Sequence, residues 1–351
     1  MTRIGIDCRF AATHTGLSRY TRELVTQLLL RDTPGVTYVL FLADDAAWVP
    51  SSPVARIERV NAAIPHYSLA EQTKLPGLIR NAQLDLLFVP HFNAPFFCPV
   101  PTVVTVHDLI LHRHPNQASL FKQIAYRLLM HRAVSHARQI IAVSRFTADE
   151  LASEYGKKIA GKTIVIHEGV SSLFHPVSPG DAAGTLSRHG IGQRPYFLYV
   201  GNAKEHKNVQ ILIDAFVQSG RNDAELLLVS SGKETEALSL SHGARLLRGV
   251  SDADLPALYS HALAFVTAST YEGFGLPLLE AAACGCPVIA TNCASLPEIA
   301  PPGSAIVDPT VAAIAAALRA PPARISQASP LPTWDTCAVQ TIDVLTKASR
   351  Q

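Results

Sequence analysis

No C-x-x-C pair occurs in this chain: its six cysteines stand at 8, 98, 284, 286, 293 and 337, with no histidine near them at zinc-ligand spacing. They read as reduced, mostly buried thiols of a cytoplasmic protein. No apolar run approaches the roughly 18–20 residues that span a bilayer. The first residues, Met1 to Cys8, run straight into a strand pattern, with no apolar leader core and no small-residue cleavage site. There is no G-x-G-x-x-G after a strand and no G-x-x-x-x-G-K-[ST], which argues against a dinucleotide oxidoreductase and a P-loop protein. A formal net charge of only +2 argues against a nucleic-acid partner. Short-period repeats are absent as well.

What is present is bulk and alternation. A chain of 351 residues, 48% hydrophobic and 17% charged, is long enough for two domains with buried cores. Arg3–Cys8, Thr37–Leu42, Leu84–Pro90, Thr102–His107 and Gln139–Ser144 read as strands, apolar on both faces as in a helix-covered parallel sheet. Leu17–Arg31, Tyr67–Asn81 and Gln117–His136 carry helical spacing between them, and Thr147-Ala148-Asp149-Glu150 matches a capping box. The Pro-, Gly- and Ser-rich His175–Gln193 is the linker candidate.

A second alternation follows. Tyr196–Val200, Glu225–Ser231, Ala244–Gly249, Ala262–Thr267, Pro287–Thr291 and Ala305–Val307 are expected strands. Val209–Gln218, Ala253–Ser260, Pro277–Cys284 and Val311–Arg319 are the helices among them, and Thr333–Ala348 is a last helix after a Pro-rich stretch. The expected class is α/β with two Rossmann-like, doubly wound parallel-sheet domains facing across a cleft. Residues 1–174 form the first domain and 175–332 the second.

Chemistry concentrates in four places. Glu272-Gly273-Phe274-Gly275-Leu276-Pro277-Leu278-Leu279-Glu280 follows a strand and opens a helix. Its glycines let backbone approach a ligand, and the helix N-terminus suits a diphosphate. The two carboxylates, poor partners for an anion, fit sugar hydroxyls as acceptors. The bland alternative makes Glu272 a helix cap and Glu280 a solvated residue, but an unpaired carboxylate among Leu and Ala is costly. Gly201-Asn202-Ala203-Lys204-Glu205-His206-Lys207 ends another strand, and Lys207 can neutralise a diphosphate as its bond breaks. Thr105-Val106-His107-Asp108 puts His107 at the carboxyl end of a strand of the first domain, against the alternative of a core histidine. Thr15-Gly16-Leu17-Ser18-Arg19-Tyr20 follows the first strand.

The string from Glu272 to Ala290 resembles the E-x7-E signature of the family-4 glycosyltransferases, which have the GT-B fold. Gly249-Val250-Ser251-Asp252-Ala253-Asp254-Leu255 with Leu258-Tyr259, then Leu296-Pro297-Glu298 and Val307-Asp308-Pro309, are similar to further elements of that family. The resemblance implies that Glu272 contacts the donor sugar, Glu280 the ribose, and the backbone of Gly273, Phe274, Gly275 and Leu276 the sugar and phosphate. Lys207, with Gly201 and Asn202, would hold the diphosphate; the arginine usual beside that lysine is missing, leaving Asn202, Lys204 or His206 to replace it. His107 would lie beside the reacting sugar. Gly16 would approach the phosphate or acceptor, although Ser18 stands where a second glycine is common.

The resemblance also implies retention of configuration and a C-terminal helix, 333–351, packing back on the first domain, with a hinge near Pro330 and the 170s. The form G-N-x-K-x-H-K-N resembles a subgroup with many bacterial mannosyltransferases. GDP-mannose is therefore the expected donor and a polysaccharide, such as an O-antigen, or a lipid-linked glycan the acceptor. A UDP-hexose donor, a silent sugar-nucleotide-binding protein and a GT-B epimerase are the alternatives.

No metal or other cofactor is expected. Asp252 and Asp254 spell D-x-D but open a helix, where acidic residues belong, and Asp44-Asp45 has no companion ligands. The basic and apolar Leu111–His136 has two readings: a cationic helix face resting on the inner membrane surface, or a solvated face covering the first sheet. The expected location is cytoplasmic, with or without that peripheral contact.

Overall fold

Short β-branched and aromatic runs separated by helical segments can bury both of their faces only in a parallel sheet with helices on each side. The computed structural model of the chain, which describes residues 1–13, 16–43, 46–117, 119–324 and 330–350, builds this twice. Met1–Gly169 with Pro332–Gln351 form one compact unit, and Val170–Leu331 form the other. The second unit is thus inserted into the first. Thr15 and the Asp44-Asp45 pair lie outside the described residues.

The first unit carries β1 (Thr2–Asp7), β2 (Val36–Leu42), β3 (Arg56–Asn61), β4 (Leu86–Val89), β5 (Thr102–Val106), β6 (Gln139–Ala142) and β7 (Thr163–Val165). They are ordered β3-β2-β1-β4-β5-β6-β7. The second carries β8 (Tyr196–Val200), β9 (Glu225–Val229), β10 (Ala244–Leu247), β11 (Ala264–Val266), β12 (Val288–Thr291) and β13 (Ala305–Val307), ordered β10-β9-β8-β11-β12-β13. Every pairing among the described strands is parallel. Strand order reverses between β1 and β4 and again between β8 and β11, and a crevice opens at the carboxyl ends of the strands at such points.

Alternation explains the uninterrupted apolar strands of the second unit. Tyr196 and Leu198 of β8 enter one core with Leu227, Phe265 and Val288; Phe197 and Tyr199 enter the opposite core with Leu226, Leu228 and Val266.

Several expectations are corrected. β3 was not anticipated: R-I-E-R-V-N is charged and largely exposed, because this edge strand is held by main-chain pairing to β2 and by the Arg3–Glu58 ion pair at 2.7 Å. The three-residue edge strand β7 was also missed. His175–Gln193 is no structureless linker: Pro179–Arg188 is a helix, with Ser178 Oγ accepting from the Asp181 amide and Pro179 at its start. The capping residue expected at Thr147 is Ser144, whose Oγ accepts from the Thr147 amide, so the helix runs from Arg145 to Tyr155. Tyr67–Asn81 divides into Leu69–Thr73 and Leu75–Asn81, because Pro76 cannot continue the first helix.

The helix read over Gln117–His136 begins at Leu120. Its outer face is not simply cationic. Tyr126, Met130, Ala133 and Val134 are buried, while Leu120, Phe121, Ile124 and Leu128 stand exposed among Lys122 and Arg127.

The helix Trp334–Arg350 lies against the helix Gly16–Leu29. It begins where the chain needs a glycine: a Cβ on Gly169 would fall 2.0 Å from the Trp334 amide nitrogen. Trp334 is buried edge-on to Tyr20, at 5.6 Å between ring centroids, and Arg138 Nη1 donates to the Ala348 carbonyl at 2.7 Å.

Candidate functional site

In the second unit, the loops leaving β8 and β11 meet at the point of strand-order reversal. After β8, Gly201 takes φ +154°, and a Cβ there would come 2.9 Å from Tyr199 Oη. That hydroxyl donates to the Asn202 carbonyl at 2.6 Å and ties the loop down. The chain then makes a 3-10 turn, Glu205–Lys207, passes Asn208 in the left-handed region at φ 56°, and enters the helix Val209–Ser219. The helix expected to start near Lys207 therefore starts after it, and Lys207 sits on the turn.

The two loops are tied together through main chain. The His206 carbonyl accepts from the Thr270 amide at 2.8 Å and from the hydroxyls of Thr270 and Ser269 at 3.2 Å each. The His206 side chain is buried. On the far side, the fully buried Ser295 directs its hydroxyl at the carbonyls of Glu272 (2.9 Å) and Phe274 (2.8 Å), fixing the shape of the Glu-Gly-Phe-Gly loop. Gly275 has φ +105° and a Leu296 methyl where a Cβ would sit at 3.1 Å, so this position demands glycine. It precedes the helix Leu276–Ala283; Pro277 in its first turn has no N–H, and the Leu278 amide donates to the Gly275 carbonyl at 3.0 Å.

This framework brings Lys207 Nζ to 2.5 Å from Glu272 Oε1, with the two side chains 18% and 17% exposed. They line a cavity together with Gly201, Asn202, Thr267, Gly275 and Pro277. Asn202 is exposed, and its Oδ1 accepts from the Lys204 amide at 3.3 Å. Glu280 lies outside the residues lining the cavity. It is 2% exposed on the apolar helix, where its Oε2 accepts from Tyr259 Oη at 3.2 Å. The structure therefore brings together Gly201, Asn202, Lys207, Glu272 and Gly275 and puts Glu280 behind them, among the core residues.

In the first unit His107 follows β5. Its Nδ1 lies 3.0 Å from Glu168 Oε1 and its Nε2 3.0 Å from the Pro90 carbonyl. Both partners are acceptors, so the ring satisfies them only by donating from both nitrogens, as the imidazolium. Burial opposes that charge, but the hydrogen bond and charge of Glu168 outweigh it and, helped by the Pro90 carbonyl, raise the His107 pKa above its ordinary value. Tyr20 meets the ring edge-on at 4.5 Å. Both ring nitrogens of His107 are thus engaged, in a setting that favours its protonated form. Gly16 opens the helix Gly16–Leu29, and a Cβ there would meet nothing within 4 Å.

Sequence reading missed Glu168, which is 61 positions from its partner. It also missed a buried network after β1. Arg9, 1% exposed, donates to both oxygens of Asp7 at 2.8 and 2.7 Å and to Glu71 Oε1 at 2.7 Å. Asn93 Nδ2 donates to the same Glu71 oxygen at 2.9 Å. Burial alone would raise the Glu71 pKa; His66, Arg9 and Asn93 bring it below the usual range instead. Only the pairing of a buried aspartate and arginine two residues apart could have signalled it.

Among the described residues, no group of three or more His, Cys, Asp or Glu is placed to share a metal ion. Asp254 of the D-x-D string precedes the helix Leu255–His261. It accepts from Ser251 Oγ at 2.8 Å and pairs with Arg188 at 2.6 Å and His189 at 3.2 Å; burial works against its charge, yet these partners bring its pKa to about 2.

Comparison with known proteins agrees with this architecture. Residues 14–172 match the model described as Glycosyltransferase Family 4, and residues 187–320 match Glycosyl transferases group 1. The O-antigen chain mannosyltransferase B of Escherichia coli is 27% identical over 94% of this chain and 95% of its own. A GDP-mannose-dependent alpha-(1-6)-phosphatidylinositol monomannoside mannosyltransferase of Mycolicibacterium smegmatis is 30% identical over 49% of each chain. In fold, the chain is similar to Anabaena HepE in complex with UDP-glucose, at TM-score 0.70 and 19% identity, over 99% of this chain and 100% of that one. With matched segments covering both units and two doubly wound parallel sheets carrying the loops, the chain belongs to the family-4 glycosyltransferases of the GT-B fold.

Proposed function

We propose that the chain transfers a hexose, with retention, from a nucleoside diphosphate sugar to a polysaccharide or lipid-linked glycan, and that the donor is GDP-mannose. The observation that carries this reading is the Lys207–Glu272 pair held over a glycine loop and a helix N-terminus. Each member of the pair is what one half of the donor needs. An arriving diphosphate takes over the ammonium of Lys207 beside the positive end of the helix Leu276–Ala283; this frees Glu272 to accept from sugar hydroxyls.

The C1–O bond then breaks with its electron pair passing to the diphosphate, where Lys207 and the loop amides stabilise the new charge. The acceptor hydroxyl attacks C1 on the face just vacated and gives its proton to a diphosphate oxygen. Lys207 and backbone donors carry the charge change, so the proposed course is independent of a metal. Glu280 is assigned to the ribose, and His107 to positioning the transition state and the acceptor. The donor assignment draws support from the mannosyltransferase relatives.

A contact of the outer face of Leu120–His136 with the cytoplasmic membrane surface is part of the proposal, supported by its exposed Leu120, Phe121, Ile124 and Leu128. No helix among the described residues is long and apolar enough to cross a membrane.

The test is release of nucleoside diphosphate from a panel of GDP- and UDP-hexoses, with and without lipid-linked acceptors. GDP release from GDP-mannose is expected. Turnover of a UDP-hexose alone overturns the donor assignment, and a protein that binds, hydrolyses and transfers none of them is not an enzyme of this kind.

A further inference from the structure

The helix Leu120–His136 turns large apolar side chains to solvent: Phe121 is 81% exposed and Leu120 71%. On its flank opens a pocket of about 450 Å³, within the size range of ligand sites. Arg127 and His131 of this helix line it, together with His112, Glu154, Tyr155 and Lys158. Arg127 and Lys158 are exposed, and among the described residues neither has an ion-pair or hydrogen-bond partner.

His112 also lines the pocket. Its side chain is only 4% exposed, and its Nε2 is engaged by Tyr155 Oη at 3.0 Å, with Glu154 Oε1 at 3.8 Å. Its Nδ1 is buried and has no partner. The lining sets two cations, Arg127 and Lys158, against the one carboxylate Glu154.

A phosphate monoester matches this set: the Arg127 guanidinium fork and the Lys158 ammonium line one pocket and both donate to anionic oxygens. The apolar side chains on the same helix point to the source of that phosphate, because they gain by entering acyl chains and gain nothing from a soluble anion. We propose that this pocket seats the phosphomonoester headgroup of an anionic membrane lipid while Leu120, Phe121, Ile124 and Leu128 insert beside it. The proposal rests on the membrane contact inferred above.

The experiment is cosedimentation of the full chain with phosphatidylcholine vesicles doped with phosphatidate, or with phosphatidylglycerol at matched surface charge. The doubly substituted Arg127→Ala, Lys158→Ala chain is expected to bind phosphatidate vesicles well over 30-fold more weakly, beyond the roughly 30-fold that the loss of two cations gives on any surface of that charge. Its loss on phosphatidylglycerol should be smaller, and its donor hydrolysis unchanged. Equal losses on both vesicles reduce the pocket to unspecific charge and overturn the proposal, as does no loss at all. Displacement of the wild type by millimolar inorganic phosphate with no effect of Phe121→Ser identifies a soluble-anion site and overturns the lipid assignment. A Phe121→Ser, Ile124→Ser chain is expected to leave every vesicle; if it binds them all as before, the membrane contact itself fails, separately from the pocket.

Discussion

At the scale of single residues, the ionised groups are held by partners the chain brings from far away, and this gives each a measurable signature. The His107 imidazolium depends on Glu168. Because its folded pKa is raised, the stability it contributes is full below its unfolded value of about 6.5 and is lost as pH rises through the folded value. Denaturant unfolding of wild type and Glu168→Gln should therefore differ most near pH 6 and converge as the medium turns alkaline; a constant difference would mean that His107 carries no charge. Glu280 poses a different question, since it is buried against Tyr259. Glu280→Ala should weaken donor affinity roughly 10–100-fold, the worth of a charge-assisted hydrogen bond. Calorimetric titration with the nucleotide sugar reads this, and unchanged affinity removes its ribose role.

The element scale shows where pattern reading succeeds and where physics hides the answer. Strands such as Tyr196–Val200 are legible because both faces must be apolar between helix layers. Arg56–Asn61 is not, because an edge strand owes its place to backbone pairing and keeps its charges. Pro179–Arg188 hides behind a loop-like composition whose serine and proline are in fact its start signal. The same division holds for the candidate site. The Glu272 to Glu280 loop is local, so its glycines and carboxylates are visible in one string. The Asp7–Arg9–Glu71 network and the His107–Glu168 pair join residues that only the fold makes neighbours.

The start of the helix Trp334–Arg350 agrees with the helix read from Thr333; what the sequence hides is the glycine it packs on. Gly169→Ala would drive a methyl into the Trp334 backbone, and overpacking of this kind costs about 1–3 kcal/mol. A lowered denaturation midpoint with altered tryptophan emission is expected, and an unchanged midpoint would show that the helix yields freely.

At the scale of the whole molecule, each unit has its own sheet and its own core. Unfolding need not be a single step, and a ligand of one unit stabilises that unit first. GDP at 100 times its dissociation constant should raise the stability of the second unit by about 2.7 kcal/mol. Limited proteolysis followed by peptide mapping would then show protection across Val170–Leu331; protection confined to Met1–Gly169 would place the nucleotide in the wrong unit.

The insertion of one unit within the other also sets an order of birth. On the ribosome, Val170–Leu331 emerges as one unbroken stretch and can close its sheet as soon as it is free. The older unit must wait, its helix Gly16–Leu29 lacking one of its neighbours and its Gly169 lacking Trp334, until the helix Trp334–Arg350 arrives to cover them. The half made first is finished last, and a nascent chain arrested after the second unit would carry a complete second unit beside an open, apolar and aggregation-prone first one.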